Sequence, residues 1–151
     1  MAYWLFKSEP ETWSWQDQKN HDGPAEWDGV RNYQARNNMR AMQVGDLGFF
    51  YHSVKEKRVV GIVRVAVAAH PDSTDDSGRW ECVDIEAICD LPRPVSLSEI
   101  KENPALKDMV LVNNSRLSVQ PVTEEEWEEV CCMGGLDPVP RAPWPAGKAC
   151  P

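Results

Sequence analysis

The run from Val59 to Ala69 constrains the fold most strongly, because it is almost wholly apolar and rich in β-branched residues. This composition predicts an interior strand, covered on both faces. Leu47 to His52 predicts a second central strand, since its two faces are both largely apolar. Trp80 to Cys89 alternates apolar and polar residues, which predicts a half-buried strand. The chain is therefore expected to build a sheet around these segments.

Shorter segments complete the predicted fold. Further strand pieces are predicted at residues 2–6, 109–112 and 117–122. Short helices are predicted to begin after the capping residues Ser14, Asn32, Ser96 and Thr123. Five or six short strands with interleaved helices favour an α+β fold, in which a strongly curved mixed sheet or small barrel is flanked by short helices.

Length and local composition define the expected domain organisation. A chain of 151 residues suits one domain, assigned to residues 1–136. Residues 137–151 contain five prolines and show no periodicity, so they predict a flexible tail. Charged residues at 7 and 9 leave no apolar signal-peptide core, and no apolar run has membrane-spanning length. A cytoplasmic monomer without membrane association is expected.

The segment from Trp27 to Ser53 carries a local basic excess within an acidic chain. The whole chain has a formal charge of -8, whereas this segment holds three arginines against two aspartates. A pI near 4.9 argues against a broad electrostatic contact with duplex DNA. Seven tryptophans supply large flat surfaces. The segment is predicted to form one wall of a pocket for a planar, polar ligand such as a nucleobase.

The sequence lacks the motifs of several common catalytic and cofactor-binding sites. The sequence contains no G-x-S-x-G, P-loop or dinucleotide-binding glycine pattern. Its five cysteines form no CxxC and no histidine stands at metal-ligand spacing to a cysteine, so reduced thiols and no metal site are predicted. No cofactor is expected. His52 is the best single candidate for acid–base chemistry, although such a residue more often has a structural role.

The residues support base binding more directly, because stacking faces and edge-reading groups occur together. Candidates for stacking are Trp15, Trp27, Tyr33 and Tyr51. Candidates for reading a base edge are Ser8, Asn32, His52 and Ser53. Arg31 and Arg116 are candidates for holding a phosphate. These patterns alone leave the ligand as a small polar molecule, with nucleic acid among the alternatives.

Several motifs together resemble the EVE domain family: FKSEP at 6–10, WDGVRNYQARNNMR at 27–40, PVSLSEIK at 94–101 and SRLSVQPVTEEEW at 115–127. The resemblance extends from about Ala2 to Gly135. It implies a PUA-like fold, a curved mixed β-barrel of five to six strands. It also implies a non-enzymatic reader that takes a modified base of DNA, such as a modified cytosine, or of RNA into an aromatic pocket.

The resemblance also implies a set of binding residues. The base pocket is expected to contain Ser8, Glu9, Trp15, Trp27, Val30, Arg31, Asn32, Tyr33, Phe50, Tyr51, His52 and Ser53. Contacts to the nucleic-acid backbone are expected from Ser115, Arg116 and Ser118.

Two alternatives remain open. Some ASCH-type relatives of this fold hydrolyse acylated cytidines with an activated lysine, a part that Lys7 would take here. In the other alternative, the chain is a protein–protein adaptor whose proline-rich tail is a polyproline ligand.

Overall fold

The computed structural model describes residues 2–114 and 116–148. The strands are β1 (Tyr3–Ser8), β2 (Ala25–Glu26), β3 (Leu47–His52), β4 (Arg58–Pro71), β5 (Glu81–Ser96) and β6 (Val119–Val122). The helices are α1 (Trp15–Asn20), α2 (Tyr33–Ala41), α3 (Leu97–Glu102), α4 (Val110–Asn113) and α5 (Glu124–Met133), with a 3-10 turn at Pro104–Leu106.

The six strands form one mixed sheet in the order β2-β5-β4-β3-β1-β6. Strands β1 and β3 are parallel, and the other neighbouring pairs are antiparallel. The register shifts between Phe50 and Tyr51, and again along the β4–β5 pair. Such irregularities bend a sheet. The predicted curved α+β fold is confirmed, with the sheet open at β2 and β6 rather than closed into a barrel.

Strand β3 separates two hydrophobic cores, because its side chains alternate between the two faces of the sheet. Phe49 and Tyr51 belong to the core that contains Trp127, whose ring stacks on Phe49 with centroids 4.2 Å apart. Phe50 belongs to the other core, with Trp27. The covered faces confirm that β3 is a central strand.

The predicted helix starts are confirmed at Ser14, Asn32, Ser96 and Thr123, each of which accepts a backbone N–H with its side chain. The strand piece predicted at residues 109–112 is wrong, because Val110–Asn113 forms α4. A short apolar run does not by itself distinguish a helix from a strand. Here the amide of Asn114 donates to the carbonyl of Val110 at 2.7 Å, which closes a helical turn.

Residues 137–148 pack against the sheet, contrary to the predicted flexible tail; residues 149–151 lie outside the described residues. Trp144 is only 3% exposed. Its carbonyl accepts a hydrogen bond from Arg64 Nε at 2.6 Å, and the Pro140 carbonyl accepts one from Trp127 Nε1 at 2.8 Å. The prolines make the segment aperiodic, but buried aromatic surface and these bonds hold it in place. Its residues are therefore engaged by the domain itself.

The structure also bears on the predicted reduced thiols and on the predicted lack of a membrane-spanning segment. Among the described cysteines, Cys82, Cys131 and Cys132 are free thiols. Cys89 is disulfide-bonded, so the expectation of reduced thiols is wrong at that position. None of the helices in residues 2–114 and 116–148 has the length and apolar character needed to cross a membrane.

Candidate nucleic-acid interface

A cavity of about 860 Å³ opens where β1 ends. This volume lies within the range of roughly 300–1,000 Å³ that is usual for small-ligand sites. The lining consists of Lys7, Ser8, Glu9, Thr12, Trp13, His21, Ala25, Glu26, Trp27, Asp28, Gly29, Val30, Arg31 and Ser118. It thus combines two indoles, carboxylates, hydroxyls and two cationic side chains.

Trp27 is an aromatic wall fixed by both its backbone and its ring. Its amide donates to the Val83 carbonyl at 2.9 Å, which ties it to β5. Its ring meets Phe6 and Phe50 edge-on, with centroids 5.3 and 5.8 Å away. Only 9% of the residue is exposed. The indole is therefore held in position before any ligand arrives.

Trp13 is the second aromatic residue of the lining, and α1 holds it. Its Nε1 donates to Gln18 Oε1 at 2.9 Å, while Gln18 Nε2 donates to the Ile85 carbonyl of β5 at 3.2 Å. The hydroxyl of Ser8 donates to the Trp13 carbonyl. Because Gln18 is buried, this chain of bonds fixes Trp13 to the sheet.

Lys7 and Asp28, two charged groups of the cavity, have pKa values shifted from their ordinary values. Burial lowers the pKa of Lys7, whose Nζ lies 5.9 Å from the Tyr51 ring centroid. Burial, followed by repulsion from Asp72 and Glu26, raises the pKa of Asp28, while the charge of Arg31 opposes the rise. Both shifts reflect charges placed in a poorly hydrated space.

Asp72 fixes the turn at the rim of the cavity. Its Oδ2 accepts hydrogen bonds from the Gly29 amide at 2.9 Å and from Arg31 Nη1 at 3.1 Å. Arg31 Nη2 also donates to Thr74 Oγ1 at 3.0 Å. Gly29 has a φ of +78°, a conformation that disfavours other residues. Arg31 is therefore partly neutralised and fixed in place rather than extended as a mobile phosphate clamp.

The structure brings only part of the predicted site together. Among the predicted pocket residues, the cavity is lined by Ser8, Glu9, Trp27, Val30 and Arg31. From the predicted backbone contacts, Ser118 also lines it, Arg116 lies in an exposed turn, and Ser115 lies outside the described residues. The remaining predicted residues are not part of the cavity lining.

Trp15 and His52 support the site from within. Trp15 Nε1 donates to Asp90 Oδ1 at 2.6 Å, and the indole lies directly against Gly61. His52 Nε2 accepts the Trp15 amide at 2.9 Å, so Nδ1 carries the ring proton and donates to Glu56 Oε2 at 2.7 Å. Both nitrogens of His52 are thereby used in a structural role.

The other predicted residues do not line the cavity either. Phe50 is fully buried in the core, and burial of Tyr51 raises its pKa to about 12. Asn32 caps α2 through its side chain, and Tyr33 is exposed on the outer surface. Ser53 lines a separate hollow of about 220 Å³.

Sequence reasoning did not select several residues of the lining: Lys7 as a pocket wall, Thr12, Trp13, His21, Ala25, Glu26, Asp28 and Gly29. Asp28 and Gly29 lie inside the long motif at 27–40, so that motif could have indicated them. Trp13 carries no such signal. It stands two residues before Trp15, and only the packing of α1 decides which indole faces the cavity.

Glu26, His70 and Cys82 place potential metal ligands within 4.8 Å of one another. His70 Nδ1 lies 3.0 Å from the Pro71 carbonyl, and Nε2 lies 2.7 Å from Asp84 Oδ1. Burial alone would lower the pKa of His70, but these bonds and the nearby carboxylates raise it. Both ring nitrogens of His70 thus have a protein oxygen as partner. Burial also raises the pKa of the Cys82 thiol. Because both nitrogens of His70 already have oxygen partners, the geometry favours a hydrogen-bonded cluster over a metal centre.

The fold and the cavity define a small mixed-sheet domain with a preformed aromatic and polar ligand site. The chain belongs to the EVE domain family, whose model matches residues 2–133. Human thymocyte nuclear protein 1 is 35% identical over 170 residues, covering 91% of this chain and 76% of that protein.

Solved structures agree in fold. A structure of an Agrobacterium tumefaciens protein is 60% identical, with a TM-score of 0.89 and coverage of 92% and 97% of the two chains. Human thymocyte nuclear protein 1 in complex with 5-methylcytosine-containing DNA is 36% identical, with a TM-score of 0.85 and coverage of 91% and 100%. A Zygosaccharomyces rouxii YTH domain in complex with N6-methyladenosine RNA shares the fold alone, with 17% identity, a TM-score of 0.54 and coverage of 88% and 86%.

Proposed function

We propose that this protein is a nucleic-acid-binding module that takes a modified base into the cavity at the end of β1. The observation that carries the proposal is the preformed pair of indoles, Trp13 and Trp27, in a cavity that also holds charged groups. The similarity to a protein solved in complex with 5-methylcytosine-containing DNA supports it.

The lining suits a planar base in its physical chemistry. Stacking on an aromatic face contributes about 1–3 kcal/mol per base and tolerates any base. Discrimination then depends on the edge of the base, where Asp28 and Glu9 offer acceptors and Lys7 offers a donor. Val30 supplies apolar surface against which a methyl group can pack.

The test measures binding of short DNA and RNA oligonucleotides that carry cytosine or 5-methylcytosine at one position, in single-stranded and duplex form. We expect the modified oligonucleotides to bind more tightly. Asp28→Asn should weaken binding by roughly tenfold, the effect of losing a charge-assisted hydrogen bond of about 1.5 kcal/mol. Asp108→Asn, the same change at an exposed site outside the cavity lining, is the control. Equal affinity for modified and unmodified oligonucleotides would overturn the proposal.

A second candidate function is hydrolysis of an acylated cytidine by Lys7. It is favoured by one observation: Lys7 lines the cavity, and burial lowers its pKa, which favours the neutral amine that could act as a general base and deprotonate the water that attacks the acyl carbonyl. Incubation with N4-acetylcytidine, followed by mass spectrometry, tests it. Release of acetate by the wild type but not by Lys7→Arg would establish catalysis. Unchanged nucleoside would leave binding as the function.

A further inference from the structure

A stacked aromatic pair lies on the outer surface beside the cavity. The rings of Tyr33, at the start of α2, and Trp80, just before β5, have centroids 4.8 Å apart and planes inclined by 26°. Tyr33 is 56% exposed, although a large aromatic side chain is costly to leave in water. Surface exposure of a ring that is already held by a partner ring suggests a stacking surface for a ligand.

The guanidinium of Arg36 contacts both rings of this pair. Its Cζ lies 4.8 Å from the Tyr33 centroid and 5.8 Å from the Trp80 centroid. Since the two ring centroids are 4.8 Å apart, these distances place Cζ on the Trp80 side of Tyr33. The guanidinium therefore does not lie on the side of Tyr33 opposite Trp80, and the exposure of Tyr33 shows that this outer face is accessible.

Two arginines supply positive charge at this surface, although the chain as a whole is acidic. Arg36 donates to Asn37 Oδ1 and to the carbonyl of Arg79, which are neutral acceptors and leave its charge uncompensated by these bonds. Arg31 lines the cavity, and its Cζ also lies 5.6 Å from the Trp80 centroid. Arg31 thus connects the cavity rim to the stacked pair.

The loop between β4 and β5 holds Trp80 in place. Asp75 Oδ1 accepts the amide and the hydroxyl of Ser77, and Asp75 Oδ2 accepts the Trp80 amide at 3.0 Å. These bonds, led by that of the Ser77 hydroxyl, lower the pKa of Asp75 to about 2. Since the loop is cross-linked within itself, the aromatic surface exists before any ligand binds, which reduces the entropy cost of binding.

We propose that Tyr33, Trp80 and Arg36 form a platform on which a nucleotide next to the one in the cavity stacks. This inference rests on the proposed function and deepens it. The platform offers an open aromatic face for a neighbouring base and an uncompensated guanidinium for its phosphate. Arg31 makes the two surfaces continuous. Charge complementarity favours a nucleotide over a proline-rich or aromatic peptide.

The test is a double-mutant cycle between the protein and the ligand. One probe is a labelled DNA pentanucleotide with a central 5-methylcytosine, and two others carry an abasic residue on its 5′ or 3′ side. We expect Tyr33→Ala to weaken binding of the intact probe by about tenfold. One abasic probe should bind wild type about tenfold more weakly and should not distinguish wild type from Tyr33→Ala. Val44→Ala, which also removes exposed apolar surface, is the control and should bind all probes like wild type.

Arg36→Gln tests the charge in the same cycle. We expect weaker binding of the intact pentanucleotide and a smaller salt dependence, because one phosphate contact is lost. Arg93→Gln, at an exposed arginine that contacts Glu99 and Met133, should leave the salt dependence unchanged.

The outcomes separate this inference from the proposed function. If Tyr33→Ala binds the intact pentanucleotide as well as wild type, or weakens all three probes equally, the platform is overturned while base binding in the cavity stands. If wild type binds none of the probes, both the proposed function and the platform fail.

Discussion

The Nε2 atom of His52 accepts a hydrogen bond from the backbone amide of Trp15 at 2.9 Å. This bond joins the end of β3 to the first turn of α1, where amides have no partner within the helix. It fixes α1, and thereby Trp13 and Gln18, against the sheet. A histidine at a strand end that resembles a catalytic residue is instead the attachment point of one cavity wall.

Replacement of His52 by alanine should therefore affect stability first. We expect His52→Ala to lower the free energy of unfolding by about 1–3 kcal/mol, the cost of an unsatisfied buried amide. Urea titration followed by circular dichroism measures this loss. Lys55→Ala, at an exposed position of the same hairpin, should lie within about 0.5 kcal/mol of wild type. Unchanged stability with lost ligand binding would instead place His52 in the binding reaction.

Gly61 should not tolerate a side chain, because a Cβ there would lie 2.2 Å from Trp15 Cζ2. The indole is buried and tied to Asp90, so it has little room to move. We expect Gly61→Ala to destabilise the fold by about 1–3 kcal/mol, as overpacking does. Val67→Ala, at an exposed position on the same strand, is the matched control in thermal unfolding. A Gly61→Ala protein as stable as the control would show that the indole relocates freely.

The packed tail predicts a large loss on removing its anchor. Trp144 is buried against the domain, so Trp144→Ala should cost about 3–5 kcal/mol in unfolding free energy. Pro145→Ala, at the exposed neighbouring position, should cost little. Equilibrium denaturation of both variants decides the point. Equal stability of the two would mean that residues 137–148 add nothing to the fold.

His70 predicts a pH dependence of stability near neutrality. Its folded pKa is raised above the unfolded value of about 6.5, because the bonds to Asp84 and Pro71 outweigh the opposing effect of burial. The folded state then holds the proton more tightly, so this stabilisation is complete below about pH 6.5 and is lost as the pH rises through the folded pKa. Urea titrations between about pH 6 and 8 should show falling stability in wild type.

The variants His70→Gln and Asp84→Asn isolate this effect. Either change removes the charged pair, so each should flatten the decline in stability over the same pH range. A decline that persists unchanged in both variants would assign it to other groups.

Much of the fold could be predicted because its signals are local. The cap at Asn32 and the boxes at Ser14, Ser96 and Thr123 act within one helical turn, and the alternation along β3 follows from strand geometry. The α4 run was ambiguous because four apolar residues fit either a helix or a strand.

The candidate site was less predictable, because it depends on contacts between distant parts of the chain. Residues of the long motif, such as Trp27 and Arg31, line the cavity as expected. No local pattern distinguishes Trp13 from Trp15. The bond from Trp13 to Gln18 holds its indole at the cavity, whereas the bond from the Trp15 amide to His52 accompanies an indole that packs in the core. The placement of Tyr33 on Trp80 likewise joins residues far apart in sequence.

The sequence by itself determined the helix starts, the central strands and the family. Capping hydrogen bonds, side-chain alternation and short family motifs each depend only on residues close together in the chain. The tertiary structure alone decided which aromatic side chains face the cavity, that residues 137–148 are packed, and that His52 is structural. These outcomes depend on burial and on partners distant in the chain, such as Asp90 for Trp15 and Arg64 for Trp144, which no local pattern encodes.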